Sequence, residues 1–283
     1  MTSFVFVSDM FLEEFSGGAE MTTHAIMAAA PKEYHIMQIR SNKIDSNSIS
    51  KYKNYHWIIC NFSELSSNSK LDICKNLEYS IIEYDYKFCK YRSLELHRKI
   101  ENSECDCTSR DEGKINLAFY GLAQKIWFMS KKQKNIFLSK VRLLKEEKCE
   151  VLSSVFSFGD LRFIDSIKEN EKDDTYLIVK ARSWVKNFEE CRKFASKNNL
   201  RCEVVEDLPY HELLIKLSTS KGLVFLPAGA DTCPRLVIEA KLLGCDLILN
   251  NLVQHKDEKW FSSPESCWEH MKSRTREFWR FYE

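Results

Sequence analysis

The sequence predicts an α/β fold of two consecutive Rossmann-like units, each built on a mostly parallel sheet. Three observations carry that expectation. Short continuous apolar runs such as Phe4 to Val7 have the character of strands buried on both faces. These runs alternate with stretches of helix-forming residues, the rhythm of βαβ units. The alternation breaks at a charged stretch, Asp160 to Asp174, and then starts again.

In the first half, the opening strand at Phe4 to Val7 leads through a polar loop to Ser16-Gly17-Gly18 and a helix from Ala19 to Ala30, closed by Pro31. Further strands are expected at Tyr34 to Ile39, Trp57 to Cys60, Ser80 to Tyr84, Lys125 to Met129 and Glu150 to Phe156, with a basic amphipathic helix over Lys131 to Lys148. The second half offers strands at Thr175 to Val179, Arg201 to Val205, Gly222 to Leu226 and Asp246 to Leu249. Its helices are expected at Phe188 to Asn198, Tyr210 to Ser218 and Pro234 to Leu243, the last ended by Gly244. Pro264 to Glu283 reads as one final helix carrying Trp268, Met271, Phe278 and Trp279. The expected division is 1–158, 159–263 and a C-terminal helix at 264–283.

Composition narrows the function classes. The 283 residues carry 42 Lys plus Arg against 41 Asp plus Glu, so no overall charge excess argues for nucleic acid or an anionic membrane. Segment 125–148 is the local exception, with eight basic and two acidic residues. Its basic face would suit an anionic surface or nucleic acid if it is more than a solvated helix face. No apolar run approaches the ~18–20 residues that cross a bilayer, and no signal peptide is visible. The 11 irregularly spaced cysteines fit reduced, mostly buried thiols, which places the chain in the cytoplasm, with peripheral membrane association left open. Cys105 and Cys107 form a C-x-C without a second ligand pair, so they are expected to be exposed loop thiols, and no metal ligand set is expected.

Three constellations could carry chemistry. Gly17 and Gly18, between a buried strand and a helix, would let backbone amides approach a phosphate or sugar, or would serve a tight turn with positive φ. Asp231 and Glu239 bracket a helix start at which the amides of Cys233, Arg235 and Leu236 would face a bound anion, a pyrophosphate by preference. Lys180, Arg182 and Lys186 follow the first strand of the second half, where open α/β sheets bind ligands.

In order and spacing these pieces resemble the retaining GT-B glycosyltransferases related to glycogen synthase. The segment Asp231-Thr232-Cys233-Pro234-Arg235 through Glu239 and Gly244 is similar to the E-x7-E element of that family, with Asp231 in place of the first glutamate. The resemblance implies two sheets facing a central cleft, a nucleotide-sugar donor held by the second domain and an acceptor held by the first. It implies that Asp231 lies near the transferred sugar, that Glu239 binds ribose, and that Arg182 and Lys186, spaced one residue closer than usual, hold the pyrophosphate with Thr232, Cys233 and Arg235 at the helix start. Asp85 would keep the family's first-domain aspartate, although the histidine before it is missing and Glu83-Tyr84 stand there instead. Transfer would retain the anomeric configuration without a metal or any cofactor beyond the nucleotide-sugar. A saccharide or lipid-linked saccharide is the first expectation for the acceptor and a modified base in DNA a second. A non-catalytic nucleotide-sugar binder, or another phosphate-binding α/β enzyme such as an epimerase, is the competing class.

Overall fold

The structure is a computed structural model that describes residues 2–283. The chain divides into two compact units, one comprising 1–155 with 274–283 and the other 156–273. The sequence predicts divisions at 158/159 and 263/264.

The first unit holds six parallel strands: β1 (Ser3–Ser8), β2 (His35–Arg40), β3 (His56–Ile59), β4 (Tyr79–Glu83), β5 (Lys125–Phe128) and β6 (Cys149–Val151), in the order β2-β1-β3-β4-β5-β6. Crossovers run through α1 (Gly18–Ala28), α2 (Ser46–Lys51), α3 (Ser67–Asn76), α4 (Leu94–Glu101), α5 (Asp111–Leu122) and α6 (Lys131–Lys140). The central strands are apolar because both faces are covered; Phe4, Val5, Phe6 and Val7 of β1 have no exposed surface.

The second unit begins with α7 (Phe158–Ile167) and continues β7 (Tyr176–Lys180), α8 (Phe188–Lys197), β8 (Cys202–Glu206), α9 (Tyr210–Thr219), β9 (Gly222–Phe225), α10 (Arg235–Leu242) and β10 (Asp246–Leu249). Its four parallel strands lie in the order β10-β9-β7-β8. Each sheet therefore reverses direction once, between its first and third strands: β1/β3 in the first unit and β7/β9 in the second. The long final helix, α11 (Pro264–Trp279), ends in the first unit, where Trp279 Nε1 donates to the carbonyl of Ile26 at 2.9 Å and its ring meets Phe4 edge-on at 5.1 Å.

Four local expectations are corrected. The basic helix stops at Lys140, and Val141 and Leu144 turn into the core, so 131–148 is not one stripe. Lys125 and Lys134 of this segment pair with Glu150 and Glu146, and Lys148 donates to the carbonyls of Gly121 and Ala123. The strand expected over Glu150 to Phe156 is only the three residues of β6. The charged stretch from Asp160 is not a bare junction: Ser157 and Asp160 cap each other's backbone N–H and start α7. Cys107 is buried and Cys105 half-buried, so neither is an exposed loop thiol.

Trp279 fills a pocket between Phe4, Tyr34 and Phe278. Trp279→Ala is expected to cost the first unit about 3–5 kcal/mol in denaturant unfolding. A loss below about 1 kcal/mol would show that the helix end contributes little to that core.

Candidate functional site

In the second unit, β7 and β9 pair only at Tyr176↔Gly222 and Leu177↔Leu223, whereas β7 pairs with β8 over its whole length and β9 with β10 over its whole length. Beyond these two pairs the gap at the carboxyl ends of β7 and β9 is filled by the loop that follows β7. Ala228 N donates to Val185 O at 2.8 Å, and Asn187 Nδ2 to Leu226 O at 3.1 Å. An open α/β sheet binds its ligands at such a reversal of strand order.

Here the structure brings together two residues far apart in sequence. Lys186 Nζ lies 2.8 Å from Asp231 Oδ2, and it also stands over the ring of Phe225 at 4.9 Å. Asp231 is held from behind by residues 250–254: its N–H donates to Leu252 O and its carbonyl accepts from Gln254 N. Arg182 lies exposed in the same loop as Lys186. Lys180, the third cation of this stretch, is taken by Glu206 of β8 at 2.7 Å.

α10 starts directly beyond this pair. Pro234 is its N-cap and offers no capping side chain, and the positive dipole end of the helix points toward the loop that carries Asp231. The side chains of Thr232, Cys233 and Arg235 are buried. Arg235 runs inward. Its Nη2 donates to Asp160 Oδ2 at 3.2 Å and Tyr210 Oη at 3.3 Å, Nε lies 3.5 Å from Glu239 Oε1, and the guanidinium stacks 3.9 Å from Phe156. Glu239 is nearly inaccessible and also accepts from Tyr210 Oη at 2.9 Å. Burial raises its pKa, and the Arg235 charge and the Tyr210 hydrogen bond act against that rise. Glu239 is thus engaged within a buried cluster that sequence reasoning did not foresee. The clue available was the capping pair at Ser157 and Asp160, which marks α7 and so the source of Arg235's acid partner.

In the first unit, the Gly17-Gly18 turn is not a positive-φ turn: Gly17 is extended at φ −95°, and Gly18 is the first residue of α1. The reason for Gly17 is close approach. A Cβ there would sit 2.4 Å from Oε2 of Glu20 and 2.6 Å from the Phe15 ring. The Glu20 carboxylate therefore folds back over the helix start, where an anion had been expected. Burial raises its pKa, opposed by hydrogen bonds from its own amide and Asn61 and by the Arg92 charge.

Asp85 follows β4 and belongs to a charged network. Lys87 Nζ reaches Glu83 Oε1 at 2.8 Å and Asp85 Oδ1 at 3.1 Å, while Arg92 grips Asp85 through Nε at 2.7 Å and through Nη2. Tyr120 Oη donates to the other oxygen of Glu83, and Gln133 Nε2 fixes the carbonyls of Glu83 and Asp85 at 3.0 and 2.8 Å. Glu83 is fully buried. Burial, with the Asp85 charge adding, pushes its pKa to about 7 against the help of Lys87 and Tyr120. At Asp85 burial also opposes ionisation, but Lys87 and Arg92 outweigh it and hold the carboxyl low. The environments drive the two carboxyls apart, leaving Asp85 the charged one. Tyr84, where a Glu-Tyr-Asp replaces the expected His-Asp, shares a hydrogen bond with Thr23 at 2.7 Å.

No protein-family model matches the chain, and no curated protein sequence matches it. Solved structures do match. HepE from Anabaena in complex with UDP is 9% identical, covers 98% of this chain and 96% of its own, and superposes with a TM-score of 0.57. AviGT4, a glycosyltransferase involved in avilamycin A biosynthesis, is 6% identical over 99% and 93% at a TM-score of 0.52. The UDP-GlcNAc 2-epimerase of Methanocaldococcus jannaschii is 11% identical over 96% and 92% at a TM-score of 0.51. These likenesses show the fold, which is GT-B.

The raised pKa of Glu83 has a measurable consequence. Between 4.5, its ordinary value, and about 7, the folded chain keeps a proton that the unfolded chain has released, so Glu83 lowers stability as pH rises through that window. Glu83→Gln does not titrate there. The stability of the natural chain relative to Glu83→Gln should fall by up to about 3 kcal/mol across it in urea titrations, and a flat difference would contradict the assignment.

Proposed function

We propose that the chain is a glycosyltransferase that takes its sugar from a nucleotide-sugar, with the donor at the β7/β9 reversal of the second unit. The observation that carries this reading is the Lys186–Asp231 pair, set at the reversal and directly before the start of α10. A donor diphosphate needs cations and amide donors. Lys186, Arg182 and the first amides of α10, around Thr232, Cys233 and Arg235, supply them without a divalent ion. As the glycosidic bond breaks, charge gathers on the leaving diphosphate, and fixed donors stabilise that charge more than they stabilise the bound substrate.

Asp231 then has two duties. It orients Lys186, and its carboxylate, fixed through the backbone to residues 250–254, takes hydroxyls of the transferred sugar. Glu239 is assigned to the ribose, which requires the Tyr210 hydroxyl to yield one of its contacts. In the first unit, ionised Asp85 with Arg92 is assigned to the acceptor hydroxyl. The Gly17-Gly18 turn serves there by letting Glu20 and Asn61 line the end of β1. Retention of configuration, with the leaving phosphate taking the acceptor proton, is the course proposed. The acceptor proposed is a saccharide or lipid-linked saccharide.

Epimerisation of the nucleotide-sugar is the second reading, because an epimerase has the same fold. The two separate on one incubation of nucleotide-sugar with and without a saccharide acceptor, followed by product NMR. Transfer gives an acceptor-dependent glycoside whose anomer reports retention, whereas epimerisation proceeds without an acceptor.

Lys186→Ala is expected to weaken nucleoside diphosphate binding by on the order of 10-fold, the loss of one charge-assisted contact. Asp231→Asn should leave that affinity within about 3-fold but lower turnover by about 100-fold or more. Equal turnover in Asp231→Asn and the natural chain would remove Asp231 from the reaction.

A further inference from the structure

Between the end of β4 and the start of α5 the chain makes a long excursion, Tyr84 to Arg110, that holds α4 and a short 3-10 turn at Cys107–Ser109. Connections inside a compact unit are commonly far shorter than this one. Several of its visible ties, Arg98 to Glu104, Lys90 to Glu101 and Arg110 to Asp106, are ion pairs with substantial exposure, a class of interaction that contributes little.

At the centre of the excursion lie Cys89, His97, Cys105 and Cys107, whose ligand atoms all fall within 4.8 Å of one another. His97 is fully buried, Cys89 and Cys107 nearly so. His97 Nδ1 is 3.5 Å from the sulfur of Cys89 and 3.6 Å from that of Cys107. A tetrahedral zinc ion with Zn–S of ~2.3 Å and Zn–N of ~2.0–2.1 Å sets sulfur and nitrogen ~3.6 Å apart. We propose that these four residues bind one structural Zn²⁺ in a closed Cys₃His site.

Three features around the cluster suit that ion. The backbone N–H of Lys90 points at the Cys107 sulfur at 3.5 Å, a donor that favours a thiolate. The other imidazole nitrogen, Nε2, has the Asp106 carboxylate 3.8 Å away, on the side from which an outer carboxylate orients a ligating histidine. Gly113 of α5 lets the Cys107 turn press against the helix, because a Cβ there would stand 1.7 Å from the Cys107 carbonyl oxygen. Three thiolates and a neutral imidazole fill all four positions, so the ion has a holding role and no open site for substrate. Binding releases the three thiol protons and leaves each sulfur at its thiol oxidation level. The same excursion carries Lys87 and Arg92, so the ion fixes the segment that sets the charge on Asp85.

The spacing C-x7-H-x7-C-x-C explains why the site is hidden in the sequence. Zinc sites are read from C-x-x-C pairs, whereas here α4 and two turns bring the four ligands together.

The test uses the full chain purified without chelators or metal-affinity resin. Elemental analysis should find about one zinc per chain, falling below about a tenth of that in His97→Ala and Cys107→Ser but unchanged in Cys245→Ser, a buried thiol outside the cluster. Cobalt substituted into the natural chain should show thiolate-to-metal charge transfer and the intense visible bands of a four-coordinate ion, a readout that does not depend on how the variants fold. Absence of zinc with no cobalt uptake, a pale six-coordinate cobalt spectrum, or a disulfide among these cysteines by mass spectrometry would each overturn the proposal.

Discussion

In a parallel sheet ordered as these two are, the connections that leave the first and the third strand turn in opposite directions, so a gap opens between those two strands at their carboxyl ends. Everything proposed for the second unit depends on that gap. β7 and β9 are paired at only two positions, and the loop after β7 enters between them. That entry brings Lys186 to Asp231, across a sequence separation that no local pattern would join. α10 begins at the same place because its connection leaves the end of β9 there.

Both units bury charge next to these openings and satisfy it with more than one partner. Arg235 is enclosed by Asp160, Glu239, Tyr210 and the Phe156 ring, and Lys87 by Glu83 and Asp85. A buried cation with a partner removed is costly, commonly by about 3–5 kcal/mol. Such clusters therefore hold the loops they join in one arrangement. Arg235 ties α7 to α10 in the second unit, and Lys87 with Arg92 ties the excursion after β4 back to the strand it leaves. The zinc proposed for that excursion would act in the same sense, with bonds stronger than any ion pair at its surface.

The elements with a strong local signature were legible in the sequence. Buried parallel strands announce themselves as apolar runs, and nine of the expected strands lie within a residue or two of β1–β5 and β7–β10. Signals that depend on tertiary context were not legible. The basic helix looked continuous to Lys148 because its apolar positions keep helical spacing, but Val141 and Leu144 are buried from a turn rather than from a helix face. The Gly17-Gly18 pair was assigned to a phosphate or a turn, and the reason for Gly17 is a carboxylate three residues on, which spacing alone does not reveal. Arg235 and Glu239 were expected to face a ligand, yet the acid and phenol that engage them come from α7 and α9. The meeting of Lys186 with Asp231, the pair proposed for the donor, was foreshadowed by their positions after strand ends, because chain position after a strand end is itself a tertiary statement in an open parallel sheet.

The most direct test is hydrogen exchange of the natural chain with and without a saturating nucleoside diphosphate, in buffer free of divalent metal. The β7/β9 account predicts slowed exchange in two segments, 181–187 and 228–237, with 10–20 in the first unit unchanged. Protection centred on the Gly17-Gly18 turn, or no protection in either of the two segments, would contradict it.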